Sequence, residues 1–121
     1  MAKPNSTKNV LNWMHSSECD DLPADVRQMG ELALYDGIGC ALPCSMLPIT
    51  HKSADFAKVV GGPTDCTVIG FPVRNSVLNA ALVNGTLNHA DEVDAIDDFN
   101  TRGSHVLAAS MAAEITAGQL V

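Results

Sequence analysis

The chain has 121 residues, of which 46% are hydrophobic and only 4% aromatic, with seven basic and fourteen acidic residues and a formal net charge of −7. This length predicts one domain over residues 1–121, and the negative charge argues against nucleic-acid binding, which needs basic patches to neutralise phosphates. We find no run of 18 apolar residues and no apolar leader, so we expect no membrane span, no secretory signal, and a cytoplasmic location with reduced thiols.

The first half of the sequence predicts three helices. Residues 6–17 have apolar residues at helical spacing, with Ser6 or Thr7 as the N-cap. A second helix begins near Pro23 and is ended by Pro43 and Pro48. The third, "THKSADFAKVVGG", has Thr50 or Ser53 as its cap and stops at two glycines. Two further glycines inside the second helix, at positions 37 and 39, predict close packing against a neighbouring element.

The second half predicts one strand and two more helices. "CTVIGF" is a β-branched run bounded by turn residues, which is typical of a strand. Helical patterns then run from Val73 to about His89 and from residue 104 to the final residue. The last helix is still apolar at its end, which favours packing against other polypeptide. The expected fold is therefore mostly α, a bundle-like domain of about five helices with at most one short strand near Cys66–Ile69.

Five carboxylates, two histidines and one arginine are concentrated in residues 84–105, "NGTLNHADEVDAIDDFNTRGSH". A solvated loop between helices is one interpretation. A site that handles protons is the other, because neighbouring carboxylates and histidines can hold different protonation states at neutral pH. A metal site formed by His89, Asp91, Asp94 and Asp98 fits the spacing, but the run lacks the glycine of a calcium loop, so we expect no metal.

Four stretches occur in an order that resembles the N-terminal helical domain of the MmgE/PrpD family. They are "LPADVRQMGELALYDGIGCAL", "TVIG", "NAALVNGTLNHADEVD" and "GSHVLAASMAAE". The resemblance covers about residues 22–119 and is most specific in "NGTLNHADEVD". It implies an enzyme of small di- and tricarboxylates that uses no metal or organic cofactor, is mostly dimeric, and has its active site between a large helical and a smaller α+β domain.

The resemblance can be carried onto the acidic segment in more than one way. Family members usually read H-x-x-D-x-D-D-T, followed by H-P-G or H-P-S before the next helix. A match that starts at His89 places Glu92 and Asp94 on the first two acidic positions. It also places Ala95 and Ile96 where Asp and Thr are usual.

Two other alignments shift these positions. Matching the acidic pair puts Asp97 and Asp98 in place, Phe99 on the threonine and His105 on the later histidine. Aligning "GSHVLAA" directly with the start of the final helix instead leaves Thr101 at the position of that histidine. All three alignments remain open at the level of the sequence.

Removing a proton beside a carboxylate needs a base, stabilisation of the developing negative charge, and an acid for a departing hydroxyl. The predicted catalytic residues are Asp94, Asp98 and His105. The predicted substrate-binding residues are His89, Glu92, Thr101 and Arg102. Because Arg102 is the only cation nearby, the groups that hold a dicarboxylate are expected to come from another polypeptide.

The sequence therefore predicts one subunit of a cofactor-independent MmgE/PrpD-like dehydratase, decarboxylase or epimerase, inactive alone and completed by a second chain in a hetero-oligomer. The altered acidic motif favours an alternative, a non-catalytic helical module derived from that family that dimerises with or regulates an intact relative. A truncated form of an ordinary enzyme is the third possibility.

Overall fold

A computed structural model describes residues 5–93 and 105–120, with the side chains of 106–108 excepted. These residues form five α-helices and two very short strands, which confirms the expected mostly-α fold. The chain divides into two compact units between Leu32 and Ala33. The predicted single domain over residues 1–121 stays a prediction.

The first unit contains helix α1 (Ser6–Ser16) and the beginning of helix α2 (Ala24–Cys44). The Asn5 side chain caps α1 by accepting a hydrogen bond of 3.1 Å from the backbone N–H of Lys8, so the predicted Ser6 or Thr7 cap is wrong by one residue or two. No residue of α1 is buried. A 3-10 turn at Cys19–Asp21 leads into α2.

The second unit begins within α2 and continues through α3 (Pro48–Val60), α4 (Val77–His89) and α5 (Val106–Ala117). The strands β1 (Cys66–Thr67) and β2 (Arg74–Asn75) pair antiparallel between α3 and α4. The predicted strand "CTVIGF" therefore shrinks to two residues. The helix predicted from residue 73 begins four residues later, because its first residues form β2.

Three helix ends also differ from the prediction. α2 contains Pro43 in its last turn and ends one residue beyond it. α3 begins at Pro48 with Leu47 as N-cap, since proline suits the first turn of a helix, where its missing N–H is not needed. α5 ends at Ala117, where the backbone N–H of Gly118 bonds back to Glu114, rather than running to the end of the chain.

Helix α4 is the centre of the second unit, since it packs against α3, α5 and both strands. The core around it is built of small and branched side chains. Its buried members are Ala41, Cys44, Ala54, Ala57, Cys66, Val68, Ala80, Val83 and Leu87. Such small residues let the helices approach closely, and the one aromatic side chain that packs against this described core, Phe71, is only partly buried.

Buried asparagines on and beside α4 hold the strands in place. The Asn84 side chain accepts from the backbone N–H of Ile69 at 2.9 Å and donates to the carbonyl of Thr67 at 3.1 Å. Asn79 donates to the carbonyl of Gly61 at 2.7 Å, and Asn75 donates to the last turn of α3 at 2.9 Å. Asn84 thereby satisfies backbone groups at and just after β1, while Asn75 and Asn79 bond to carbonyls at the C-terminal end of α3.

Gly37 and Gly39, two of the three glycines in α2, have different surroundings. A methyl group at Gly37 would overlap the side chain of Met111 and lie 2.9 Å from Oδ1 of Asn88, so close packing at this position is confirmed. At Gly39 no neighbouring atom in the described part of the chain, beyond the helix itself, lies within 4 Å of such a methyl group, so the described residues show no close packing there.

Among the described residues, no single helix has both the length and the apolar character needed to cross a membrane. α2 and α3 pass that test only when taken together, and the chain bends by 95° between them.

Candidate functional site

An open cleft of about 710 Å³ lies in the second unit, along α4 and α5 and beside the first turn of α3. Among the described residues, aliphatic side chains form most of its wall, and the polar side chains that line it are two histidines and a threonine. The lining residues are Ile49, Ala81, Leu82, Gly85, Thr86, His89, Ala90, His105, Ala109, Ala112 and Ala113. The cleft is therefore apolar along its length, with its ionisable groups where α4 ends and α5 begins.

The two histidines of the predicted site meet at this end of the cleft. His89 is the last residue of α4, and His105 is the N-cap residue of α5. Their ring centroids lie 4.4 Å apart, and the rings are inclined at 62° in an edge-to-face arrangement. Residues that are 16 positions apart in the sequence thus form one pair, because α4 and α5 pack along each other.

This pair has the functional groups for moving a proton. A neutral imidazole donates through one ring nitrogen and accepts through the other, so two adjacent rings present both an acid and a base to the same ligand. His89 is exposed and His105 is half-buried, so a small molecule in the cleft can reach both rings. His89 also lies at the C-terminal, negative end of the α4 dipole, a position that suits histidine in helices without any catalytic role.

Glu92 lies on the turn that follows α4 and does not line the cleft. Its backbone N–H donates to the carbonyl of His89 at 3.2 Å, and its φ of 51° is left-handed, which is uncommon for a residue with a side chain. One residue later, the carbonyl of Val93 accepts from the thiol of Cys40 at 3.6 Å, which ties this turn to α2. The other predicted site residues lie outside the described residues: Asp94, Asp98, Thr101 and Arg102.

Positive charge is scarce around the cleft. Neither lysine nor arginine is among the described residues that line it. Two described cations outside the cleft have other partners: Lys58 pairs with Asp55 at 3.0 Å, and Arg74 donates to the carbonyl of Thr64 and the hydroxyl of Thr67 beside the strands. Arg102, three residues before His105 in the sequence, lies outside the described residues. Within residues 5–93 and 105–120, no three His, Cys, Asp or Glu side chains are close enough together to hold a metal ion.

The sequence interpretation missed the aliphatic wall of the cleft. Gly85 lines the cleft together with Ala81, one helical turn before it. Ala109 and Ala113 form the matching pair on α5. The signal was the spacing of small residues four apart on two successive helices, which places both members of each pair on one face.

Comparison with known proteins agrees with the resemblance. Residues 8–120 match the MmgE/PrpD N-terminal domain. The cis-aconitate decarboxylase-like protein oryM of Aspergillus oryzae is 34% identical over 90 residues, which cover 74% of this chain and 19% of that protein. The cis-aconitate decarboxylase of Aspergillus terreus is 30% identical over 93 residues, or 77% of this chain and 19% of the enzyme.

This chain thus spans about a fifth of the length of these relatives. No solved structure gives a significant match. Since the family match extends over nearly all of the residues, the chain belongs to the MmgE/PrpD family and corresponds to its N-terminal domain.

Proposed function

We propose that this chain is the N-terminal part of a cofactor-independent lyase or isomerase that acts on a small di- or tricarboxylate by acid–base chemistry. The remaining catalytic and substrate-binding groups are supplied by a second chain, within a cytoplasmic oligomer. The observation that carries the proposal is the contact between His89 and His105 at the polar end of the cleft. Because the fungal relatives are a cis-aconitate decarboxylase and a protein like it, cis-aconitate is the first substrate to test.

In this proposal one imidazole removes or returns the proton beside a substrate carboxylate, and its neighbour serves as the partner acid. The acidic segment at residues 91–98 lies next to the pair in sequence and supplies the remaining proton-transfer groups. Substrate carboxylates need cations, and none line the described cleft, so the second chain brings them. Such a division of the site makes this chain inactive alone.

The chemical character of two helices supports completion by further polypeptide. α4 carries no Lys, Arg, Asp or Glu, and α5 carries only Glu114. A helix that is apolar on all sides is typically enclosed by protein. Leu78 of α4 is 82% exposed here, and Val59 of α3 is 87% exposed. These are surfaces that a larger helical domain would bury.

The test is turnover by the protein purified untagged from its own source, with its subunits identified by native mass spectrometry. We expect His105→Ala and His89→Ala each to lower kcat for cis-aconitate or the related acid by about 10²–10⁴-fold. The matched control is His15→Ala, since His15 is an exposed residue of α1, and it should leave kcat unchanged. Full turnover in both cleft variants would refute the assigned histidines.

A non-catalytic module remains the second candidate, and the mainly aliphatic lining of the cleft favours it. In that case the cleft binds a relative's polypeptide, and the histidines only border the contact. His105→Ala would then leave the turnover of the assembly unchanged while altering the affinity of this chain for its partner. A lone, partnerless 121-residue species in native mass spectrometry would exclude the two-chain enzyme.

A further inference from the structure

We infer that one helix of the polypeptide that completes the family fold packs into the aliphatic part of the cleft. This helix carries a basic residue near the end of the cleft where His89 and His105 lie. This inference rests on the proposed function and names the element that joins the two parts. The substrate is then confined to the polar end, at His89 and His105.

The shape of the cleft wall suits a helix. Ala81 and Gly85 form one row of small residues on α4, and Ala109 and Ala113 form another on α5. Small residues four apart leave a shallow groove along a helix, into which side chains of a neighbouring helix fit at interaxial distances of about 8–10 Å. Larger side chains border the groove at Ile49, which is 53% exposed, and at Leu82, which is 49% exposed.

The chemistry of the wall argues against a purely polar occupant. A carboxylate placed along the aliphatic length would lose hydration without gaining a hydrogen bond, which is unfavourable. Thr86, the polar side chain midway along the wall, already donates its hydroxyl to the carbonyl of Leu82 at 2.8 Å. An apolar helix meets no such penalty, since its backbone polar groups are satisfied internally.

The negative charge of this chain indicates that the docked helix carries a basic residue at the histidine end of the cleft. Asp91 and Glu92 are both exposed just beyond α4, and the sequence places three more carboxylates within residues 94–98. The whole chain has a net charge of −7. A lysine or arginine at the matching end of the docked helix would pair with this acidic turn and would also lie close to the substrate position.

The length of the relatives provides the source of such a helix. The chain covers 19% of each fungal relative, so about four fifths of the family fold is polypeptide that these residues do not contain. A second copy of this chain is a weaker choice of occupant. It would bring another net charge of −7 and another acidic turn to the same place.

The experiment is site-specific photo-crosslinking in the source organism, with p-benzoylphenylalanine replacing Ile49 at the rim of the cleft. The matched control is the same replacement at Lys58, a charged and exposed residue on the same helix that does not line the cleft. We expect Ile49 to crosslink to an apolar helical peptide of an MmgE/PrpD-type sequence that carries a lysine or arginine at one end. Equal crosslinking from both positions, or a crosslink from Ile49 to another copy of this chain, would overturn the inference.

A second pair of variants tests the groove itself. Ala113→Trp fills the groove, whereas Ala117→Trp adds the same ring one turn later, at an exposed residue that does not line the cleft. We expect Ala113→Trp to lower the Ile49 crosslink at least tenfold at unchanged helix content, and Ala117→Trp to leave it intact. Equal crosslinks in both variants would contradict a helix seated there.

Turnover of the same preparations separates the two proposals. A helix crosslinked at Ile49 in an assembly that converts no di- or tricarboxylate would leave the docking inference standing and refute the proposed function. Turnover that depends on His105, without a crosslink specific to Ile49, would support the proposed function and refute the docking inference.

Discussion

The two sides of α4 differ in packing: one face is fully packed against its neighbours, and the other is only partly covered by the described residues. Towards the strands, Asn79 and Asn84 bond to the backbone of neighbouring loops, and Leu87 is fully buried. Towards the cleft, the same helix presents Ala81 and Gly85, which the other described residues leave half-buried. Polar groups paired with backbone define a closed interface, whereas small apolar residues that the described part of the chain covers only partly are suited to packing against a partner.

Two leucines of α4 provide the largest expected difference. Leu87→Ala removes a fully buried side chain and should lower the free energy of unfolding by about 3 kcal/mol. Leu78→Ala removes one that is 82% exposed and should change it by less than about 0.5 kcal/mol. Urea unfolding followed by circular dichroism measures both. Equal losses would show that the outer face of α4 is already covered in the isolated protein.

Loss of the two hydrogen bonds that the Asn84 side chain makes to the backbone of Thr67 and Ile69 should give the next largest effect on stability. Asn84→Leu leaves the N–H of Ile69 and the carbonyl of Thr67 without their side-chain partner, at a cost of about 2 kcal/mol. The same substitution at Asn12, exposed on α1, is the control and should be close to neutral. A loss at Asn84 no greater than at Asn12 would mean that these hydrogen bonds do not hold the strands.

Substitutions at Gly37 and Gly39 of α2 test how tightly this helix packs, with smaller expected effects on the free energy of unfolding. Gly37→Ala should destabilise by roughly 1 kcal/mol, because Met111 and Asn88 must shift to admit the methyl group. Gly39→Ala should stabilise by up to about 1 kcal/mol, since alanine favours the helix and the space is empty. Thermal unfolding of the two variants should therefore move in opposite directions from the natural protein.

Substitutions in the turn after α4 should have the smallest effect on the free energy of unfolding. Glu92→Gly should raise the free energy of unfolding by about 0.5 kcal/mol, since glycine relieves the left-handed backbone but loses more entropy on folding. Asp91→Gly, one residue earlier and without a left-handed φ, should lower it by a similar amount. If Glu92→Gly also destabilises, its carboxylate contributes more than its backbone costs.

Helix number and type followed from the sequence because apolar spacing and proline positions act locally. The pair of His89 and His105 was foreseen only as two separate site residues. Their contact depends on how α4 packs along α5, which periodicity does not encode. The strand was predicted too long for the same reason, since Ile69 bonds to the side chain of Asn84 on α4 rather than to a neighbouring strand, a contact that the local sequence does not encode. The assignments of Asp94, Asp98, Thr101 and Arg102 stay predictions.

The side-chain amide of Asn84 makes hydrogen bonds to the backbone around β1 that a third strand could otherwise make, and this predicts slow hydrogen exchange at Ile69. The N–H of Ile69 bonds to a helix side chain rather than to a neighbouring strand. It can exchange with solvent only when the contact with α4 opens. Its hydrogen–deuterium exchange should therefore be as slow as that of the α4 backbone, although the residue lies in a turn. The hairpin and the helix would then open as one cooperative unit.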